Sequence, residues 1–344
     1  GRGVVAGREY PENTIVEEAR TISVTDTATT QSQLNNYVFG SGRDDFHSII
    51  FGPGNIYNHR KPHTMGRFAD EEEMRDAGVS PYPYTAATVV TYVTLASISS
   101  GEEMYETYGD HWFTRFEQKK ASSEGDESSV RTVGEAQTAA RRMKTADMLA
   151  HGICLTDTEI RPSTVPVSGN GLFVTRDFAV GEVVTVSPAL SLPKSVVDES
   201  APDCILMNYC ISSPGSDMVL FPLNYGPMIN HGSGEEANVE LGWYDWSPAV
   251  EALTAKYHPG ATQVQDMRLA DKLNMSAQEL YEAPFAQLDV SYRARRPIQQ
   301  GEELRLDYGD AWEAAWQEYT RKMDVWLFQQ DALGVPRTDS LDSI

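Results

Sequence analysis

The 344-residue chain carries 50 acidic against 28 basic side chains, a formal charge of −22, and is 40% hydrophobic and 10% aromatic. That balance argues against direct nucleic-acid binding, which needs clustered Lys and Arg, and suits attraction of a basic peptide or protein as well as plain solubility. No run of about eighteen apolar residues predicts a membrane span, and Cys154, Cys204 and Cys210 lack the close pairs of a zinc site or disulfide framework, which favours a reducing, intracellular compartment (nucleus, cytoplasm or organelle).

A chain of this length suits two domains, each with its own core. The first unit spans about 1–117. It opens on "GRGVVAGREYPENTIVE" (1–17), a Gly-x-Gly (Gly1, Gly3) ahead of an alternating stretch. Glycines there let the backbone approach a ligand closely, or simply make a tight turn. The sequence does not begin with Met and its first residues already belong to a motif, so a preceding segment is expected. "NNYVFGSGRDD…GNIYNH" (35–59) ends on Asn58-His59, an amide beside an imidazole, which can dock a purine or orient a loop. In the following "RKPHTMGRFADEEEMRD" no strand is evident. His59 and His63 stand four apart, but Pro62 argues against the helix that would aim both at a metal, so none is expected. The unit closes with "GEEMYETYGDHW" (101–112), which contains Tyr108.

Residues 118–158 read as a polar linker followed by a connecting helix rich in helix formers, ending at Gly152. The second unit spans 159–320. "GNGLFVTRDFAVGEVVT" (169–185) carries Gly169, Asn170 and Gly171 into alternating β-branched strands with a turn at Gly181. Asn230-His231 follows, then strands in "NVELGWYDW" (238–246) and "LDVSYRARRPI" (288–298). Between those strands, about 247–286, a helical insertion is expected, with capping-box spacing from Ser276 to Glu279. "GEELRLDYGDAW" (301–312) contains Tyr308. Both Gly-Glu-Glu stretches predict turns with solvated carboxylates. A helix over 310–331 sets Trp312, Trp316, Tyr319, Met323 and Trp326 on one stripe, read as core.

The two units echo each other. Between 98–112 and 298–312 eight of fifteen positions match, where composition alone gives roughly one. The Gly-x-Gly segments align at an offset of 168, the Asn-His pairs at 172 and Tyr108/Tyr308 at 200. The chain therefore reads as two homologous units in tandem, the second lengthened by about 28 residues between its Asn-His pair and its tyrosine.

"GNGLFVTRDFAVGEVV" (169–184), "INHG…ANVELGW" (229–243) and "RARRPIQQGEELRLDYG" (293–309) resemble, in order and spacing over about 150 residues, a SET domain, the fold of protein lysine methyltransferases. The first unit resembles a second, diverged copy, with Gly1, Gly3, Asn58, His59 and Tyr108 as counterparts. The resemblance implies a mainly β fold with some α, a β-clip of short strands in small sheets with a knot-like C-terminal threading, here duplicated. It implies that Gly169, Asn170 and Gly171 border S-adenosylmethionine, that Asn230 and His231 hold its amino-acid and adenine parts, and that the Tyr308 hydroxyl faces the transferred methyl. Tyr225, Tyr209, Phe221 and Trp312 are candidates for the walls of a substrate channel, or for ordinary packing. The partner implied is a protein or peptide lysine, lying extended against a strand edge.

Some residues depart from the family pattern. Gly232 and Ala237 replace the Ser and Pro expected after Asn-His, and Thr107 stands where the second unit has Asp307. No cysteine-rich flank accompanies either unit. A non-catalytic SET-like binding or scaffold protein, and a different β-rich fold, therefore stand as alternatives to the enzyme.

Overall fold

Alternating β-branched stretches punctuated by Gly, Pro and Asn give this chain short strands and few helices. The computed structural model describes residues 3–25, 34, 37–40, 46–60, 62–69, 89–108, 143–166, 168–197, 205–212, 216–257, 269–282, 288–318 and 321. The strands are β1 (Ile15–Thr25), β2 (Val38–Gly40), β3 (Phe46–Phe51), β4 (Asn58–His59), β5 (Met65–Ala69), β6 (Val89–Thr94), β7 (Tyr105–Glu106), β8 (Thr158–Pro162), β9 (Asn170–Val174), β10 (Val183–Pro193), β11 (Ile211–Ser212), β12 (Met218–Pro222), β13 (Asn230–His231), β14 (Val239–Trp243), β15 (Leu288–Ala294) and β16 (Arg305–Leu306). The helices are α1 (Thr145–His151), α2 (Ser247–Tyr257), α3 (Leu269–Leu273) and α4 (Ala277–Glu282), with a further helix over 310–318. No described helix is long and apolar enough to cross a membrane.

The chain forms two compact units: one of residues 1–154, 188–224 and 244–289, the other of 155–187, 225–243 and 290–344. In the first, β2-β3-β1-β6-β5 make a five-stranded sheet and β4 pairs with β7. The antiparallel ladder β1–β3 runs from Arg20↔Phe51 to Thr25↔Phe46. Its core includes Ile22, Val24, Ile49, Ile50, Tyr57 and Tyr92, all buried. Also in this unit β10 pairs with β12 from Ala189↔Pro222 to Pro193↔Met218. In the second unit β14 pairs antiparallel with β15 and parallel with β16, which pairs parallel with β13, while β8 and β9 form a hairpin ladder. Leu172, Val174, Val184, Val239, Tyr292 and Leu304 are buried there.

The segment after Asn58-His59, expected to hold no strand, does contain one. Met65–Ala69 is a strand, β5, whose register on β6 opens with Met65↔Thr94, as β14 opens on β15 with Val239↔Ala294. Gly66 and Arg67 hide it in the sequence. An edge strand with a single partner needs little apolar patterning, because one ladder and a few buried side chains hold it.

The insertion contains α2, α3 and α4. At α4 the capping box forms: the Ser276 N–H donates to Glu279 Oε2 at 2.7 Å, and the Glu279 N–H donates to Ser276 Oγ at 3.2 Å. Ser276→Ala is expected to cost about 1 kcal/mol locally, read as faster amide exchange across 276–282 and unchanged exchange in β15. Most of the predicted 131–151 helix, and the predicted 310–331 helix beyond its first turns, lie outside the described residues.

Candidate functional site

In the second unit the Gly-x-Gly leads into β9, and each glycine has its own physical reason. Gly169 has φ +64, a left-handed conformation that favours glycine. At Gly171 a Cβ would lie 2.1 Å from Glu303 Oε1 and 3.1 Å from Asn230 Nδ2, so only glycine lets that carboxylate and amide press against the strand.

Glu303 sits at the centre of this cradle. It is 7% exposed and accepts hydrogen bonds from Ser163 Oγ at 2.6 Å, the Thr164 N–H at 2.8 Å, the Thr164 hydroxyl, and Asn230 Nδ2 at 2.9 Å. Burial pushes its pKa up, but the donated bonds from Ser163, Thr164 and Asn230 outweigh that and hold it below the usual carboxylate range. Asn230 Nδ2 also donates to the Asn170 carbonyl and approaches Ser163 Oγ, both at 3.0 Å. Carboxylate and carbonyl are pure acceptors, so they fix the amide with its NH2 group inward and leave Oδ1 as the acceptor it can offer a ligand.

The parallel pairing of β13 with β16, Asn230↔Arg305 and His231↔Leu306, carries this amide toward Tyr308. The Tyr308 N–H donates to His231 Nδ1 at 3.1 Å, which leaves the imidazole proton on Nε2. That nitrogen is buried and has no hydrogen-bond partner among the described residues. The Tyr308 ring lies 5.3 Å from His231, and its hydroxyl makes a short hydrogen bond to the Ile229 carbonyl. Trp312 packs 4.7 Å from His231 and edge-on to Tyr308 at 4.8 Å. The stripe on the 310–318 helix is not all core: Trp316 stacks on Trp312 at 5.6 Å yet keeps 39% exposure. Behind the tyrosine, buried Tyr292 has its hydroxyl raised by burial, with smaller effects from Tyr308 and Ser187. A Cβ on Gly226 would lie 2.5 Å from both the Tyr292 hydroxyl and Ser187 Oγ.

The first unit holds a closely parallel set of contacts. A Cβ on Gly3 would lie 2.3 Å from Glu103 Oε1 and 2.7 Å from Asn58 Nδ2, and Asn58 Nδ2 donates to Glu103 Oε1 at 2.6 Å. The Tyr108 N–H donates to His59 Nδ1 at 3.0 Å, its hydroxyl donates to the Tyr57 carbonyl at 2.5 Å, and the rings stand 5.4 Å apart. β4 and β7 pair in parallel as β13 and β16 do. Gly1 lies outside the described residues. What differs is the surroundings. Glu17 and Glu106 are buried where the offsets of 168 and 200 place Thr185 and Leu306, and the contact of Glu17 Oε1 with the Gly54 N–H is made in the second unit by Ser187 Oγ with the Gly226 N–H. Tyr57 donates to Glu17 Oε2 at 3.2 Å, Tyr92 to Glu106 Oε2 at 3.4 Å, and Arg67 stands 3.5 Å from Glu106.

The remaining predicted channel residues are placed as follows. Phe221 is fully buried in β12. Tyr209 packs on Phe51 at 4.7 Å between centroids, both in the first compact unit. Tyr225 precedes the 3-10 turn Gly226–Met228, its carbonyl accepting the Met228 N–H at 2.9 Å.

The reading of Gly-Glu-Glu as wholly solvated is overturned at its last residue. Glu302 is a turn carboxylate, accepting the Gln299 N–H at 2.9 Å, but Glu303 is buried in the cradle. Ser163, Thr164 and Tyr292 also escaped the sequence reading. Tyr92 and Tyr292 do align at the offset of 200, and that echo was the available signal for the last of these.

No family model matches this chain, and no curated protein does. Among solved structures it is similar to a Plasmodium falciparum protein provisionally described as a histone methyltransferase, at 17% identity and a TM-score of 0.28, covering 46% of this chain and 98% of that one. It is also similar to a chain of an apo PRC2 structure with mutated Ezh2, at 16% identity and a TM-score of 0.29, covering 44% of this chain and 15% of that one.

Proposed function

We propose that the second SET-like unit transfers a methyl group from S-adenosylmethionine to the side-chain amine of a protein lysine, and that the chain is a tandem repeat whose first copy has diverged. The observation that carries this reading is the meeting of Asn230-His231 with Tyr308 beside the Gly171–Glu303 cradle. The donor set fits the cofactor. Asn230 Oδ1 is an acceptor suited to an ammonium, the His231 Nε2–H is a donor in want of an acceptor, and the glycine backbone admits close approach.

When bound, the cofactor supplies a methyl group on a sulfonium, a leaving group that needs no electrophilic catalyst. The residues of the chain then have to orient and exclude water, an effect worth roughly 7–11 kcal/mol. With its proton donated to the Ile229 carbonyl, the Tyr308 oxygen keeps lone pairs to accept weak contacts from polarised C–H groups. The incoming amine, about 10.4 in pKa when free, must be neutral to attack. Thr185, Ser187 and Leu306 place no carboxyl where the first unit has Glu17 and Glu106, and so offer the amine neither a proton nor a negative charge. A basic peptide is the substrate class that a net charge of −22 attracts.

The test is transfer of labelled methyl from S-adenosylmethionine into a whole-cell protein extract, followed by mapping of the modified site. Tyr308→Phe is expected to lower transfer roughly 10- to 100-fold, the rate equivalent of about 1–3 kcal/mol for the lost hydroxyl and its hydrogen bond. Equal, background-level transfer by wild type and variant would end the enzyme reading.

A further inference from the structure

We infer that the first unit is a second binding site for the same nucleotide, one that holds it without transferring its methyl group. The inference rests on the proposed function. What carries it is a division between two sets of groups.

The groups that would face the nucleotide are shared. Gly3, Asn58 and Glu103 make a cradle in which the glycine is required, as Gly171 is, by a carboxylate oxygen closer than any Cβ could tolerate. The Glu103 carboxylate takes the Asn58 amide nitrogen, as Glu303 takes that of Asn230, and so turns the same face of the amide toward a ligand. The histidine is held in the same tautomer by the same backbone N–H, four backbone ladder positions are paired in the same parallel register, and the tyrosine hydroxyl is tied to the carbonyl one residue before the Asn-His pair.

The groups that would face the amine are not shared. Here the buried Glu17 and Glu106 carboxyls stand with Tyr57, Tyr92 and Arg67. An amine brought beside these carboxyls takes a proton from them or keeps its own, and a protonated amine has no lone pair with which to attack. Recognition is thus retained and the condition for transfer is lost.

The experiment is isothermal titration of the full chain with S-adenosylhomocysteine, which has no methyl to transfer. Two equivalents are expected for wild type, one for Asn230→Ala, one for Asn58→Ala and none for the double variant. One equivalent in wild type, lost in Asn230→Ala and untouched by Asn58→Ala, overturns the inference and leaves the proposed function standing. No binding in wild type removes both. Should Asn58→Ala fail to fold, photo-crosslinking of labelled S-adenosylmethionine to wild type decides. Labelled peptides from both 3–108 and 158–309 support the second site, and label confined to 158–309 overturns it.

Discussion

Alanine at position 171 is expected to destabilise the protein by about 1–3 kcal/mol and to weaken S-adenosylhomocysteine binding roughly 10- to 100-fold. The new Cβ would stand 2.1 Å from Glu303 Oε1. A glutamate tip elsewhere would swing aside, but this one is gripped by Ser163, Thr164 and Asn230. Moving it breaks those bonds and lets the Asn230 amide turn, so the damage reaches the ligand side as well as the fold. Gly169→Ala is the control. Its added carbon meets nothing within 4 Å, and only the positive φ is strained, at about 1–2 kcal/mol. Urea unfolding and titration calorimetry of the two variants separate the effects. Wild-type affinity in Gly171→Ala would show that the cradle does not orient the amide.

Raising the pH from 5 to 8 is expected to destabilise the first compact unit by several kcal/mol. Burial pushes the Glu17 carboxyl up to about 8, against the bonds from Gly54 and Tyr57 and with help from the Glu106 charge. Burial likewise lifts Glu106 to about 7, against Arg67 and Tyr92. Both start from 4.5 when unfolded. Between 4.5 and these raised values the folded chain keeps protons that the unfolded chain has released, so stability falls as pH rises, by about 1.4 kcal/mol per pH unit for each group. Below the unfolded value the contribution is present in full, and it is lost as the pH rises through the folded ones. Amide exchange in β1 as a function of pH measures this directly. Glu17→Gln is expected to make the profile shallower, leaving the share of Glu106, with stability near pH 5 little changed and raised at pH 8. A flat wild-type profile would mean that the pair is ionised in the fold.

What could be read from the residues alone follows from where the physics is local. The Asn-His pairs and the tyrosines were visible because they recur, and strands β9, β10, β14 and β15 because alternation is a property of neighbours in sequence. Glu303 was misread because a Gly-Glu-Glu turn looks the same whether its last carboxylate meets water or an amide 73 residues away. Ser163 and Thr164 carry no pattern at all, since their role exists only once β8 has brought them to Glu303. Strand β5 was missed because Gly66 and Arg67 break the alternation, and the ladder that makes it a strand belongs to β6.

The parallel pairings have a consequence for how the molecule is made. Asn230 meets Arg305 across 75 residues, and Asn58 meets Tyr105 across 47. Joining such distant partners is entropically expensive and comes late, so during synthesis and refolding each Asn-His–tyrosine cluster is among the last features to exist. The penalty grows only with the logarithm of the span, however. The longer excursion in the second half adds about 0.4 kcal/mol over the shorter, which is why a whole helical excursion can be spliced between the amide and the phenol without keeping them apart.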